Sequence, residues 1–378
     1  RMKELVSNTR IPFELTNEQR RYLGLLPVQD TWNLVCIAGK YLYFDGDIIR
    51  KEIQSDEMGN YYETELCEYT TQNRTLLLPK TKRGKLKPLT ASALSFRPQG
   101  CYFHFDLGCV MIGNNFTRTE YYVERRANFC SLHEWLDKWM TESTEEDLKD
   151  IECFRQAERL HVKYREGDFF TFKVGRRKWG FGRIMMNVDA YRKTEMYARQ
   201  NNYGLKELMG KPLYIMIYRK LADIPYADLK ELEACTVSHV QPIMDNRFYY
   251  GEYKIIGNKP VSSEDWEPVI TYGRSLMDRK TVFLQYGLIY KETSSRLFNK
   301  FLIGEDGRDN PYCKIGIGWG IDNISDLEKE EKENAECYAF SPLSDPKNKK
   351  IKREIFSFFG LDADKTYAEN LKRELEKE

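Results

Sequence analysis

From Leu25 to Val123 the chain runs as short apolar and aromatic stretches separated by turn residues. Residues 32–37, 41–44, 48–53, 76–78, 101–105 and 110–112 have the length and the β-branched and aromatic content of strands. Asp45-Gly46, between two of them, reads as a hairpin turn, since glycine supplies the positive φ such turns need. The period then changes. Leu132, Leu136, Trp139 and Met140 recur at helical spacing, and Leu148, Ile151 and Phe154 do so again after a polar turn at 141–146. Ser143, with Glu146 three residues on, predicts the cap of the second helix. Strand patterning resumes at 169–174, 182–188, 213–218, 248–256 and 281–290, with short helical segments at 204–208 and 226–232. Near the C-terminus Ile351, Ile355, Phe358 and Phe359 share one face of an amphipathic helix.

This pattern predicts an α+β protein dominated by antiparallel sheet. It divides into a β-rich N-terminal domain (1–131), a helical connector (132–162), an α+β domain (163–300) and a C-terminal extension ending in a helix (301–378). The two connector helices join the halves or pack onto either one. Their polar turn at 141–146 is the expected first site of limited proteolysis, ahead of a self-standing domain beyond about Ala157.

Composition narrows the function. The 59 basic side chains nearly cancel 58 acidic ones, so a net charge of +1 gives no global attraction to nucleic acid or an anionic membrane. No apolar stretch approaches the roughly 18 residues of a membrane helix. The opening Arg1-Met2-Lys3-Glu4-Leu5 leads into polar sequence without an apolar signal segment, and Arg1 reads as foreign to a natural start at Met2. Nine cysteines, odd in number and without C-x-x-C spacing, read as reduced thiols of a cytoplasmic protein. The N-x-S/T triplets at Asn73, Asn115 and Asn323 are then chance matches.

Catalytic motifs fail on their chemistry. Gly175 to Gly180 has phosphate-loop spacing, but Phe181-Gly182 stands where lysine and a hydroxyl would hold phosphate and magnesium. The run Gly316-Ile317-Gly318-Trp319-Gly320 lacks the last glycine of a dinucleotide fingerprint and its βαβ setting. His133-Glu134-Trp135-Leu136-Asp137 approaches a zinc-protease helix without a distal ligand. His104, His161 and His239 adjoin no nucleophile elbow. No catalytic residue, cofactor site or metal site is assigned.

Charge is distributed in blocks. Seven basic and no acidic residues lie between Arg74 and Arg97, and Lys80, Lys82, Arg83 and Lys85 are crowded into the centre of that stretch. It reads as a solvated loop, a partner surface or a nucleic-acid contact. Arg176-Arg177-Lys178 with Trp179 has the arginine-plus-aromatic composition of interface hot spots, though a plain exposed hairpin is the simpler reading. Six acidic residues between Asp326 and Glu336 could steer a basic partner or form a solvated helix face.

Residues 164–184, YREGDFFTFKVGRRKWGFGRI, resemble the opening of the immunity protein 26 family of bacterial polymorphic-toxin systems. The resemblance rests on Gly167-Asp168-Phe169-Phe170 and Gly180-Phe181-Gly182-Arg183-Ile184, and extends through Gly210-Lys211-Pro212-Leu213 and on to about residue 290. The N-terminal block resembles the extension carried by a long subgroup of that family. The resemblance implies an α+β immunity domain that acts by binding a cognate protein toxin, without catalytic residues. Its partner-facing candidates here are Arg176, Arg177 and Trp179. The alternative is a nucleic-acid-binding or regulatory protein that uses Lys80, Lys82, Arg83 and Lys85.

Overall fold

The computed structural model describes residues 6–7, 10–72, 80–87, 94–125, 130–322, 324, 327 and 340–377. The chain forms two compact units, Arg1–His161 and Val162–Glu378. Both are built on antiparallel sheet with helices added, so the fold is α+β. The expected strand at 76–78, residue Arg74 and most of the acidic stretch after Asp326 lie outside the described residues.

The first unit is an eight-stranded antiparallel meander. It runs β1 (Val6–Ser7), β2 (Asn33–Ile37), β3 (Lys40–Asp45), β4 (Ile48–Ser55), β5 (Tyr61–Tyr69), β6 (Cys101–Phe105), β7 (Cys109–Asn114) and β8 (Thr119–Arg125). Gly46, at φ +62°, makes the expected turn between β3 and β4. One face of the sheet is covered by α1 (Asn17–Tyr22), α2 (Leu132–Glu142) and α3 (Glu145–Gln156). The helical stripe read from sequence is the covering surface: Trp135 and Trp139 stack with centroids 5.0 Å apart, and Trp135 stacks on Phe103 at 5.7 Å. The Trp139 indole N–H donates to the Tyr22 carbonyl at 2.9 Å, which ties α2 to α1.

The turn between α2 and α3 is closed by its own hydrogen bonds. Ser143 Oγ donates to the Trp139 carbonyl, and Thr144, not Ser143, caps α3 in a reciprocal box with Asp147. Irregular, largely exposed backbone comes later, at 157–163. These contacts move the expected first cleavage from 141–146 to 157–163.

β5 carries glutamates at 63, 65 and 68 and shows no apolar run, so the sequence pattern passes over it. In the fold Glu63 is fully buried and ionically satisfied. Its Oε1 accepts from Arg20 Nε at 2.8 Å and from Lys51 Nζ at 2.6 Å, while Oε2 accepts from the Tyr61 hydroxyl at 2.5 Å. Arg20 also donates to Glu14 at 2.8 Å, and Glu14 accepts from the Tyr43 hydroxyl at 2.6 Å. Burial alone would raise the Glu63 carboxyl; the charges of Lys51 and Arg20 outweigh it and hold the group below its usual range.

The second unit places two sheets around one apolar layer. A five-stranded sheet has the order β12-β11-β10-β9-β13 and a three-stranded sheet the order β14-β15-β16. The strands are β9 (Asp168–Val174), β10 (Lys178–Asn187), β11 (Pro212–Ala222), β12 (Val237–Met244), β13 (Lys254–Asn258), β14 (Ile270–Arg274), β15 (Thr281–Tyr286) and β16 (Ile289–Ser294). Strand alternation sends Phe169, Phe181, Met216 and Tyr218 to the shared core with Tyr272, Leu284 and Tyr286 of the smaller sheet. Phe170, Phe172, Ile184, Ile215 and Ile217 form a second core on the opposite face.

Two predicted strands divide. Within 248–256 a helical turn (Asn246–Tyr249) precedes β13, and within 281–290 Gly287, at φ +59°, turns β15 into β16. Short helices α4 (Val188–Tyr191), α5 (Glu195–Arg199), α6 (Tyr203–Lys206), α7 (Leu229–Ala234) and α8 (Asn246–Tyr249) lie among the strands. The amphipathic C-terminal segment is α9 (Lys349–Phe358), which buries Ile355 and Phe356 in the shared core and is followed by α10 (Tyr367–Leu375). No helix among the described residues is long and apolar enough to cross a membrane.

Two predictions follow from these contacts. Limited proteolysis should cut first within 157–163 and leave a stable fragment that begins near residue 162; early cutting at 141–146 would contradict the capped turn. Glu63→Gln should lower unfolding stability by about 3–5 kcal/mol, because it strands the buried Lys51 ammonium and leaves Arg20 with Glu14 alone. Since the folded carboxyl is depressed, its contribution is complete above the unfolded value of about 4.3 and is lost as pH falls through the lower folded value. Urea titrations across that window should show acid loss in the wild type and a smaller change in Glu63→Gln.

Candidate functional site

The sequence-predicted residues fall on two hairpins, one in each unit. Lys80, Lys82, Arg83 and Lys85 are all exposed on a tight turn, closed by the Thr81 N–H to the Lys85 carbonyl at 2.7 Å and by Gly84 at φ +77°. Arg176 and Arg177 lie in the β9–β10 turn, where Gly175 has φ +64°. Arg177 is exposed and Arg176 half-buried. Trp179 is half-buried against the shared core, and two ammonium groups lie over its ring, Lys254 Nζ at 5.4 Å and Lys173 Nζ at 5.8 Å from the ring centre. The turn thus presents an aromatic ring surrounded by cations.

The residues that carry the sequence resemblance have another task. Gly167, at φ +90°, lies so close to Lys259 that a Cβ there would sit 2.2 Å from its carbonyl oxygen, and the Gly167 carbonyl accepts the Lys259 N–H at 3.1 Å. Asp168 accepts from Asn258 Nδ2 at 2.8 Å and from the Arg165 N–H at 2.8 Å. Gly180 and Gly182 leave room for the rings of Phe172 and Phe170, which cross them. Arg183 is almost wholly buried. Its Nη2 donates to the Lys259 and Pro260 carbonyls at 2.8 and 3.0 Å, and Nη1 is 3.4 Å from Asp265. Its guanidinium lies over Phe169 at 4.7 Å. Both halves of the signature therefore hold one segment, 258–265.

That segment leads into the rim of a groove of about 1000 Å³. Met216, Val237 and Val240 of the five-stranded sheet and Trp266 form its floor, with Leu371 and Leu375 of α10 as the opposite wall. The lining also includes five carboxylates, Glu264, Asp265, Glu267, Glu369 and Glu376, against the single ammonium of Lys372. Glu267 is fixed by the Tyr286 hydroxyl and the Tyr367 N–H. Burial, and then the Glu267 charge, push the Tyr286 hydroxyl far up; burial pushes that of Tyr367 up to about 12. Sequence reading missed this groove because its residues come from β11, β12, 263–267 and α10, more than 150 positions apart at the extremes.

The other motifs resolve into structure. Gly318 runs beside β12: its N–H donates to the Pro242 carbonyl and its carbonyl accepts the Met244 N–H, at 3.1 and 3.0 Å. Glu134 closes the capping box of α2 with Ser131, and His133 packs edge-on against Phe13. His239 bridges Ser238 Oγ and Gln241 Oε1 beneath a stacked Phe340; Gln241 in turn donates to the Gly320 carbonyl. Among the described residues no group of histidine, cysteine and carboxylate side chains is placed to hold a metal.

The second unit is thus an α+β domain with a tightly specified backbone clasp and two charged surfaces. Residues 165–281 match the model of the family described as Immunity protein 26, so the chain carries that family's segment within this unit. No curated protein and no solved structure matches the chain.

The clasp predicts the effect of filling its cleared space. In Gly182→Ala the new Cβ would meet the Phe170 ring at 2.5 Å and the Met216 carbonyl at 2.7 Å. Overpacking of this kind costs about 1–3 kcal/mol. Gly175→Asn, in an open turn that tolerates asparagine, should cost less. Equal melting points for the two variants would contradict this role for Gly182.

Proposed function

We propose that this chain is an immunity protein that neutralises a cognate bacterial toxin by direct binding rather than by catalysis. The observation that carries this reading is the family match at 165–281, which spans the clasp and most of the groove floor. Signature residues with packing roles support it, because they specify a scaffold and leave recognition to the surfaces around it. Inhibition by occlusion needs complementary shape and charge over roughly 1,600 Å² of interface, and no reactive group. On this reading the β9–β10 turn, with Arg176, Arg177 and Trp179, faces the partner.

Co-expression with the toxic product of the neighbouring gene should restore growth, and the two proteins should co-purify at equal stoichiometry. Reversing Arg176 and Arg177 to Glu and truncating Trp179 to Ala should weaken the complex, since such anchors contribute about 2 kcal/mol or more each. Reversing Lys80, Lys82, Arg83 and Lys85 should leave it intact. Rescue without a detectable complex would argue for an enzyme that reverses the damage. Loss of rescue together with salt-sensitive RNA or DNA binding in the second set would argue for the nucleic-acid reading.

A further inference from the structure

We propose that the groove between β12 and α10 receives a lysine- and arginine-rich segment of a partner protein that lays apolar side chains on the Met216–Trp266 floor. The partner's identity as a toxin rests on the immunity reading; the chemistry of the groove does not.

Three observations point to this occupant. The first is the sign of the charge. Five carboxylates and one ammonium line a cleft with apolar walls; with Asp265 paired to Arg183 the lining stays net negative, and such walls focus the field of the rim and raise the local concentration of cations. A phosphate backbone or an acidic segment would be repelled. The second is the state of the rim. Asp265 is placed by Arg183, Glu267 by Tyr286 and Tyr367, and Glu369 by the Thr366 cap, so these groups are positioned before any partner arrives. Glu264 and Glu376 are exposed on opposite sides. A guanidinium can engage such carboxylates in paired hydrogen bonds.

The third observation is size and polarity. About 1000 Å³ far exceeds the space of a bare ion and suits several side chains in a row. Val237 and Leu375 remain 37 % and 57 % exposed at its margins, where a segment with apolar side chains would cover them. An apolar centre with a charged rim is the ordinary anatomy of a protein interface. The groove is also opposite in sign to the Trp179 turn, so one partner can use both surfaces only by presenting both charges.

The test uses the full chain and two fluorescent peptides, one a short amphipathic sequence of Lys and Leu, the other its Glu and Leu counterpart. Anisotropy should show salt-sensitive binding of the basic peptide alone. The double variant Glu264→Lys, Glu376→Lys should weaken it by roughly tenfold or more, as loss of close charge pairs does. The charge-matched control Glu57→Lys, Glu305→Lys should bind as the wild type does. Leu375→Ala, a milder change, should weaken binding with little effect on the salt slope, and equal melting points establish that all variants are folded. Undiminished binding by the double variant, or equal binding of the acidic peptide, would overturn the proposal. No toxin enters this assay, so its failure leaves growth rescue intact, and failed rescue leaves the peptide result standing.

Discussion

The second unit depends on a cation in its core. Moving a guanidinium out of water costs several kcal/mol unless its donors are satisfied, and Arg183 offsets part of that cost through two backbone carbonyls, a carboxylate and an aromatic face, while its Nε stays buried without a hydrogen-bond partner. Those acceptors all lie within 259–265, a stretch without regular strand or α-helix. Gly167 and Asp168 reach the same stretch from β9. Trp266 and Glu267 follow directly from that stretch, so the floor and rim of the groove inherit their positions from a residue in the middle of β10.

The first unit uses charge in the opposite sense. There a carboxylate is buried, and Arg20 and Lys51 come to it from a helix and a neighbouring strand. Removal of the Glu63 carboxylate leaves the Lys51 ammonium buried without its ion-pair partner, which is why such a cluster demands one register and one helix position. The cluster fixes β4 against β5 and seats α1 on the sheet.

These two buried clusters also mark where sequence reading succeeded and where it stopped. The stripe of Leu132, Leu136 and Trp139, the turns at Gly46 and Gly175, and the terminal amphipathic helix were legible because burial there follows periodicity. β5 was not, since Glu63 and Lys51 look solvated until a partner from elsewhere in the chain neutralises them. The sequence around Phe248 predicts a strand because its aromatic content outweighs a helical turn only four residues long. Of the two proposed partner surfaces, the Arg176-Arg177-Trp179 turn is visible in the sequence as a local cluster. The groove was not, because no window of sequence contains both 263–267 and α10. The roles of Gly167, Asp168, Gly180, Gly182 and Arg183 became physical only once the backbone they hold could be seen.

Arg183 organises the groove through the backbone that it holds at 259–265. Hydrogen exchange by mass spectrometry on the wild type and on Arg183→Met measures this directly, since Met keeps the bulk without the donors. The account predicts faster exchange in peptides that cover 258–267, with exchange in β15 and in the first unit unchanged. Wild-type protection across 258–267 in a folded Arg183→Met protein would contradict it.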